Sequence, residues 1–283
     1  MNRIQEIMSK MNISNDMGDL SLKKPGKITK PSNKCIYNEC DGSGMIHYRR
    51  EDGTEAMTFC KCREQRQLLN SIKTARIPKE YHHKSLEDFN VNHYQSKDAI
   101  KHAKYAQKVA SGFIKSFETM NDMGKGLYIY SKTKGTGKTL LSIIIIYELM
   151  MKYQINPLYI SVVNILSELK NTFHQKEVNS YDIIRSLTEA DILVMDDLGV
   201  EKTTDWVEEI LTQILDERMM DNKPTIITSN MPITELDRKY PSGRIKSRVE
   251  KMTFPIPMPE ESVRSTLSKQ ENDKVAKLFF EDE

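Results

Sequence analysis

The chain has 283 residues, 38% of them hydrophobic and 29% charged, and its formal net charge is +2. The length allows about two domains, one large enough for a substantial core. The near-neutral charge excludes a chain-wide basic field for nucleic acid, so any such surface must be a local patch. The N-terminal MNRIQEIMSK lacks the apolar core of a signal peptide, and no apolar run reaches membrane-spanning length. We therefore expect a cytoplasmic protein without a membrane partner.

Residues 1–34 are interpreted as an N-terminal arm followed by a basic linker. Residues 19–34 are polar and rich in lysine, with prolines at 25 and 31, which is typical of a linker. The start of the arm fits either a helix that docks on a partner or a frayed terminal helix. Its apolar residues at helical spacing are Ile4, Ile7, Met8 and Met11.

All four cysteines lie in one window, as Cys35-x4-Cys40 and Cys60-x-Cys62. Two short extended runs between the pairs meet at Asp52-Gly53, which is a hairpin signal. Cysteine pairs at the base of a hairpin make a tetrahedral thiolate cage suited to Zn²⁺, and the alternative is four buried free thiols. With every ligand position filled by sulfur, the predicted zinc site is structural. His47 could replace one ligand, but a strand-surface position is the preferred interpretation. We assign residues 35–80 to a small zinc-binding domain.

Residues 63–120 are predicted to supply helices and a connector. Leu68, Leu69 and Ile72 indicate a helix that ends before Pro78. The adjacent histidines at 82 and 83 are interpreted as polar connector residues. A second helix over 96–120 carries an aromatic stripe that predicts core packing. The stripe consists of Tyr105, Val109, Phe113 and Phe117.

The segment 126–140, GLYIYSKTKGTGKTL, predicts a strand, a glycine loop and the start of an apolar helix. This is the pattern of the phosphate-binding loop of nucleoside triphosphatases, and the alternative is a surface loop rich in Gly and Lys. Gly135 and Gly137 let the backbone close around an anion, and Lys138 supplies charge to the outer phosphates. The predicted ATP-binding residues are Lys134, Gly135, Thr136, Gly137, Lys138, Thr139 and Leu140. The pattern expects Gly at position 132, where this chain has Lys132. We treat this loss as tolerable because the residue begins the turn and does not line the cradle.

A second apolar strand, 191–199, runs into Asp196 and Asp197. Carboxylates at the C-terminal end of a buried parallel strand lie at the ligand-binding edge of an α/β sheet. Asp196, with the hydroxyl of Thr139, is predicted to hold Mg²⁺, and Asp197 to orient or deprotonate the attacking water. Aspartate is one methylene shorter than the glutamate common at the second position, so slow hydrolysis is expected.

Possible DNA contacts lie on two helices around this strand. After a predicted strand at 157–163, an amphipathic helix over 164–176 carries Lys170 and Phe173 near its end. Basic residues beside an aromatic can hold single-stranded DNA, although a solvated face explains them as well. A further helix is predicted to begin with Asp205 as its N-cap. Trp206 in its first turn is either core or a stacking platform.

Two polar segments complete the predicted site. The strand PTIITSN ends at Asn230, which could hydrogen-bond the γ-phosphate or the water. The segment SGRIKSR places Arg244 and Arg248 four residues apart on one helical face. This fits either an arginine finger donated to a neighbouring subunit or an ordinary basic helix.

With these residues placed, the chain resembles the AAA+ ATPases of the DnaC/DnaI helicase-loader group, including phage-encoded relatives. The resemblance depends on GTGKT, VMDDLGVEKTTDW, TIITSN and SGRIKSRVE, and covers roughly residues 35–270. The cysteine module followed by ARIPKEY resembles the Gram-positive and phage branch. The expected fold class is therefore α/β. An AAA+ domain over 81–283 would have a five-stranded parallel sheet and a reduced C-terminal lid, and the zinc-binding domain would precede it.

The resemblance also implies how such a protein would act. The N-terminal region would grip a hexameric replicative helicase, and ATP with single-stranded DNA would control loading of the ring. Among the arginines, Arg248 becomes the better candidate for a finger acting in trans in a self-assembly, and Arg264 is the one obvious lid arginine.

Two other functions remain open from the sequence. An IstB-type transposition helper ATPase shares the core motifs but does not typically carry the cysteine module. A zinc-dependent DNA-binding regulator with a vestigial nucleotide site would not need the intact Lys138, Thr139, Asp196 and Asp197.

Overall fold

The computed structural model describes residues 26–35, 37–63, 74–82, 84–172 and 180–280. The chain forms two compact units, Met1–Ser71 and Ile72–Glu283. The predicted helix of the N-terminal arm and the helix at Leu68–Ile72 fall outside the described residues, as do His83 and Phe173.

The first unit is a small antiparallel sheet with strands β1 (Gly26–Lys27), β2 (Met45–Arg49) and β3 (Glu55–Phe59) in that order. The hairpin between β2 and β3 confirms the prediction at Asp52-Gly53. There the Asp52 carboxylate accepts the Thr54 amide at 2.9 Å, and Gly53 has a φ of 81°. At the hairpin base the Cys60 amide donates to the Gly44 carbonyl. This base carries the cysteines.

The second unit is built on a five-stranded parallel sheet, which confirms the predicted α/β class. Its strands lie in the order β5-β6-β7-β4-β8, and each neighbouring pair is parallel. All carboxyl ends therefore meet at one edge, where loops from several strands can build one site. In chain order the strands are β4 (Gly126–Tyr130), β5 (Pro157–Ser161), β6 (Ile192–Leu198), β7 (Thr225–Ser229) and β8 (Thr253–Pro257).

Helices cover the sheet, and short 3₁₀ turns at Lys79–Tyr81, Leu86–Asp88, Val91–His93 and Ile233–Glu235 link the elements. The first four α-helices are α1 (Lys97–Lys115), α2 (Phe117–Asp122), α3 (Lys138–Tyr153) and α4 (Val162–Thr172). The other five are α5 (Ser180–Glu189), α6 (Asp205–Met220), α7 (Leu236–Lys239), α8 (Arg244–Met252) and α9 (Val263–Phe280). Helix α3 is apolar on all sides because it is buried, and Ile143 to Ile146 are all 0% exposed.

Two helix predictions need correction. The buried face of α1 is a row of small residues, Ala99, Ala103, Ala106 and Ala110, which let the helix lie close to its neighbours. Phe113 and Phe117 are buried as predicted, but Tyr105 is 40% exposed. The N-cap of α6 is Thr204, whose hydroxyl accepts the Val207 amide at 3.3 Å, and Asp205 is the first helical residue.

Residues 74–82 lie within the second unit, whereas the sequence analysis placed the boundary after residue 80. The Tyr159 amide of β5 donates to the Ala75 carbonyl at 2.8 Å, so this segment pairs along the edge of the sheet. Arg76 forms two contacts of 2.7 and 2.8 Å with Glu168 of α4. At the opposite edge lies β8, which contains Pro255 and Pro257. None of the described helices is long and apolar enough to cross a bilayer.

Candidate nucleotide and metal sites

The phosphate-binding loop connects β4 to α3 at the carboxyl edge of the sheet. Gly135 and Gly137 have φ of 73° and 89°, in the left-handed region that glycine tolerates best. A Cβ at Gly135 would lie 2.8 Å from the Ser262 hydroxyl, so a larger residue does not fit. Gly137 is the N-cap of α3, and the helix N-terminus therefore opens into the loop. Such a terminus, with its free amides, favours a bound anion.

Lys132 shows why the missing glycine is tolerated. Its φ is not positive, so the position makes no demand for glycine. Its amide and that of Thr133 donate to the two carboxylate oxygens of Glu260, at 2.9 and 2.8 Å. Its ammonium group pairs with Glu235 at 2.8 Å. The side chain therefore pairs on the protein surface and leaves the cradle to the residues that follow.

Lys138, at the start of α3, is buried. Its ammonium donates to the carbonyls of Thr133 at 2.9 Å and Ser131 at 3.3 Å. Burial lowers the pKa of Lys138, and the charges of Asp197, Glu260 and Asp196 oppose that shift. These carboxylates thus favour the charged form that a phosphate would pair with.

Asp196 is the hub of the site, and its carboxylate accepts three hydroxyl groups. Thr139 of the loop donates at 3.0 and 3.2 Å, which joins the two predicted magnesium ligands. Tyr159 of β5 donates at 2.7 Å and Thr228 of β7 at 2.6 Å. Burial, and then the charge of Asp196, raises the pKa of Tyr159, so this phenol stays protonated as a donor. A carboxylate and a hydroxyl oxygen side by side are ligands that suit Mg²⁺.

Asp197 lies at a bulge in β6. Its φ is 58°, and the ladder shifts between Met195 and Leu198. In a regular strand neighbouring side chains point to opposite faces, and the bulge changes this alternation. Burial, and then the charge of Asp196, raises the pKa of Asp197, although Lys138 and Lys134 lie close enough to oppose the shift. A raised pKa makes this carboxylate a better proton acceptor.

Asn230 and Arg264 also lie around the loop. Asn230 directly follows β7, which stands between β4 and β6 in the sheet. Arg264, in the first turn of α9, donates its amide to the Gly135 carbonyl at 3.2 Å. Its charge lowers the pKa of Asp197. The structure therefore places the lid-arginine candidate beside the predicted ATP site.

The two arginines of α8 differ in their contacts. Arg248 makes a bidentate ion pair with Asp216 of α6, at 2.5 and 2.6 Å, and also donates to the Arg244 carbonyl. Arg244 is exposed, and its guanidinium makes no ion pair with any of the described residues. In this conformation Arg248 fastens α8 to α6, and Arg244 is the arginine whose charge is available.

Two of the candidate DNA-binding side chains, Lys170 and Trp206, lie close together. The Lys170 ammonium lies 5.4 Å from the centre of the Trp206 ring, which is within range of a cation–π contact. Trp206 is half-buried against the core, so the ring is both a packing residue and the edge of a surface.

The four cysteines converge at the hairpin base, all of them buried. Their Sγ atoms lie within 4.8 Å of one another, with 3.6 Å between Cys35 and Cys60 and 3.3 Å between Cys40 and Cys62. A zinc–sulfur distance of about 2.3 Å in a tetrahedron requires sulfur atoms about 3.8 Å apart, so the donor set fits zinc. Burial raises the pKa of Cys35, but hydrogen bonds from the Glu39 and Cys40 backbone and from the Cys40 and Cys60 thiols together outweigh it and lower the pKa to about 6. His47 is exposed and outside this cluster, as predicted.

Several residues that shape the predicted ATP site carry no recognisable motif in the sequence. Tyr94 donates to the Thr136 carbonyl at 2.8 Å, and Phe89 lies beside Gly137. Thr228, Tyr159 and Glu260 were not predicted either. Their signals are faint: a hydroxyl two residues before Asn230, a tyrosine in a β-strand, and an acidic residue after a proline. The role of each residue depends on a contact with a residue distant in sequence.

The fold and this site define a nucleotide-binding protein of the AAA+ P-loop class. Residues 58–247 match the family described as IstB-like ATP binding protein. This match covers more than half of the chain, and the chain belongs to that family.

Curated relatives and a solved structure agree with this assignment. The phage-like element PBSX protein XkdC of Bacillus subtilis (strain 168) is 25% identical over 220 residues, covering 76% of this chain and 78% of that protein. The replicative helicase loader DnaC of Escherichia coli (strain K12) is 25% identical over 199 residues, covering 70% and 76%. The crystal structure of DnaI has a TM-score of 0.54 at 27% identity, covering 64% of this chain and 94% of that chain.

Proposed function

We propose that the protein is an ATP-dependent loader of a replicative DNA helicase. One combination of observations supports the proposal: relatives that this chain matches over most of their length include a helicase loader, and the loop hydroxyl of Thr139 contacts the Asp196 carboxylate beside the buried Lys138. The contact between Thr139 and Asp196, 57 residues apart, argues against a vestigial site.

In this proposal the residues of the site have different roles. The loop amides from Gly135 to Thr139 bind the phosphates, with Lys138 on the outer ones. Thr139 and Asp196 would hold Mg²⁺, and the ion would supply positive charge to neutralise the phosphates. Asp197 orients the attacking water and accepts its proton, and Asn230 holds the water or the γ-phosphate in place.

An arginine of α8 would complete the site of a neighbouring copy in the assembly. The resemblance favours Arg248, whereas its ion pair with Asp216 leaves Arg244 as the available charge. A mixing experiment distinguishes the two arginines. Arg244→Ala or Arg248→Ala protein is mixed with Lys138→Ala protein, which keeps both arginines, and ATP turnover is measured. The finger variant should fail to turn over ATP alone, and mixed assemblies should recover part of the activity.

The remaining parts of the proposal concern partners. The first unit, with zinc on the four cysteines, would form the helicase-binding module. Lys170 and Trp206, together with Phe173 as predicted from the sequence, would hold single-stranded DNA by charge and stacking. Delivery of a hexameric ring to DNA in replication initiation would follow from ATP and DNA acting together.

Size-exclusion chromatography with light scattering tests this function on the full chain mixed with its host's replicative helicase, with and without ATP. We expect a complex whose amount or stoichiometry changes with ATP. Absence of a complex with a well-folded helicase would count against the loader. It would favour the second candidate, a transposition helper of the IstB type, which the family description supports.

A further inference from the structure

A single buried hydroxyl group contacts both aspartates of the site. The Thr228 hydroxyl donates to the Asp196 carboxylate at 2.6 Å and accepts the Asp197 amide at 2.9 Å. Thr228 is 0% exposed, so water does not compete for either bond. Its hydroxyl therefore uses both its donor and an acceptor lone pair within the site.

The register of the sheet explains this double contact. Met195 pairs with Ile227, and Leu198 pairs with Ser229. Two residues of β6, Asp196 and Asp197, thus stand opposite one residue of β7, which is Thr228. A bulge of this kind leaves an extra backbone group without its ladder partner. The Thr228 hydroxyl takes that place, because it accepts the amide of Asp197 at the bulge.

A second hydroxyl restrains the other oxygen of Asp196. Thr228 bonds Oδ1 and Tyr159 bonds Oδ2, at 2.6 and 2.7 Å. The Tyr159 backbone is itself fixed, since its amide donates to the Ala75 carbonyl. Both carboxylate oxygens are thus fixed from β5 and β7, the strands on either side of β6. Partners of this kind orient a metal ligand, and their loss commonly costs 10- to 100-fold in metal affinity or activity.

We propose that Thr228 is a positioning residue that orients the magnesium ligand Asp196 and fixes the bulge at Asp197, with Tyr159 as a second, weaker restraint on Asp196. This inference rests on the proposed ATP and Mg²⁺ site. The substitution Thr228→Val removes the hydroxyl and keeps the shape. Thr228→Ser keeps the hydroxyl. Thr212→Val is the matched control, because the buried Thr212 hydroxyl has no hydrogen-bond partner among the described residues.

The experiment is an equilibrium titration of the full chain with a fluorescent ATP analogue at increasing Mg²⁺. Thr228→Val should raise the half-saturating Mg²⁺ concentration about tenfold or more. Analogue binding without Mg²⁺ should change less than about twofold, since the loop amides and Lys138 do not depend on Thr228. Thr228→Ser and Thr212→Val should stay within about threefold of the native protein, and Tyr159→Phe should give a shift of about threefold to fivefold.

A Mg²⁺ requirement unchanged in Thr228→Val would overturn the proposal. An equal loss in Thr228→Val and Thr228→Ser would also overturn it, because the hydroxyl would then not be the cause. Circular dichroism checks folding, and if Thr228→Val does not fold, an unshifted Tyr159→Phe overturns the proposal. Native protein without Mg²⁺-dependent binding would instead remove the proposed function, before any variant is compared.

Discussion

The two units of this chain solve the problem of a stable interior in different ways. Among the described residues of the first, the buried cluster consists of Ile46 and the four cysteines, with Tyr37 packed against it. In the second, a continuous apolar cluster runs through the strands and helices from Tyr128 to Met252. A unit of about 70 residues buries little apolar surface, and a metal commonly compensates. We expect the stability of the first unit to depend on a metal bound by its cysteines and that of the second unit to depend on apolar burial, so different treatments should unfold the two units.

The largest effect should come from the metal. Zinc bound by four thiolates stabilises a small domain by on the order of 10 kcal/mol, so chelation or Cys60→Ser should unfold the first unit. ATP binding by the second unit should persist. Elemental analysis is expected to give one zinc per chain for native protein, and proton NMR should show loss of the hairpin signals on chelation.

His47→Ala is the matched control for this experiment, because His47 is exposed on the same hairpin. It should retain its zinc. Native protein prepared without chelators and lacking any metal would contradict the assignment of a thiolate cage.

The second largest effect concerns Arg218, a charged residue inside the apolar unit. It is 0% exposed and donates to Thr225 and to the carbonyls of Leu187, Ala190 and Pro224. Burial lowers its pKa to about 9. Arg218→Met leaves these carbonyls unpaired and should cost about 3 kcal/mol of unfolding free energy in urea denaturation.

Arg185→Met serves as the control, since Arg185 is an exposed arginine of α5 that pairs with Glu189 of that helix. It should cost less than about 1 kcal/mol. Equal stability of Arg218→Met and native protein would show that the second unit depends on apolar burial alone.

A third change should weaken ATP binding and leave both units folded. Lys138→Ala deletes the one buried ammonium at the loop and should weaken ATP binding at least about a hundredfold in equilibrium titration. Lys152→Ala, at the far end of the same helix, should bind ATP as the native protein does. ATP affinity unchanged by Lys138→Ala would refute the assignment of the phosphate site.

The smallest effect is a pH dependence at Glu260. Burial raises the pKa of Glu260, but hydrogen bonds from the Lys132 and Thr133 amides outweigh it and hold the pKa below its usual range. The resulting stability is present above the unfolded pKa of about 4.3 and is lost as pH falls through the lower folded value. Glu260→Gln should therefore cost less than about 1 kcal/mol at pH 7, and the difference should shrink only as the pH falls below about 4.3.

The exposed Glu209→Gln on α6 is the reference for this pH series. A difference between Glu260→Gln and native protein that grows on acidification would contradict the sign.

Local patterns made much of the fold predictable. The strand and loop at 126–140, the strand ending in Asp196 and the hairpin at Asp52-Gly53 each carry their signal within fifteen residues. The wrong predictions concern positions where packing against a neighbouring element determines which residues are buried. Alanines form the buried face of α1 because close packing favours small residues, and Tyr105 was misplaced for that reason.

The predicted site was incomplete for the same physical reason. Asp196 and Thr139 could be proposed from motifs, but the bulge at Asp197 depends on Thr228, 31 residues away. Glu260 reaches the loop across 128 residues. No periodicity in the sequence reveals such pairings, since they exist only once the parallel strands are in register.

The prolines of β8 have a consequence for how copies of this protein can meet. Met258 donates its amide to Tyr130 of β4, so by alternation the amides at 255 and 257 would face outwards. Both positions are proline and carry no N–H. A foreign strand finds no donors along this border, and the sheet cannot be extended there into a continuous ribbon. A ring or filament of this protein is therefore not joined by strand pairing at β8, and the five-stranded sheet is protected against edge-to-edge aggregation on this side.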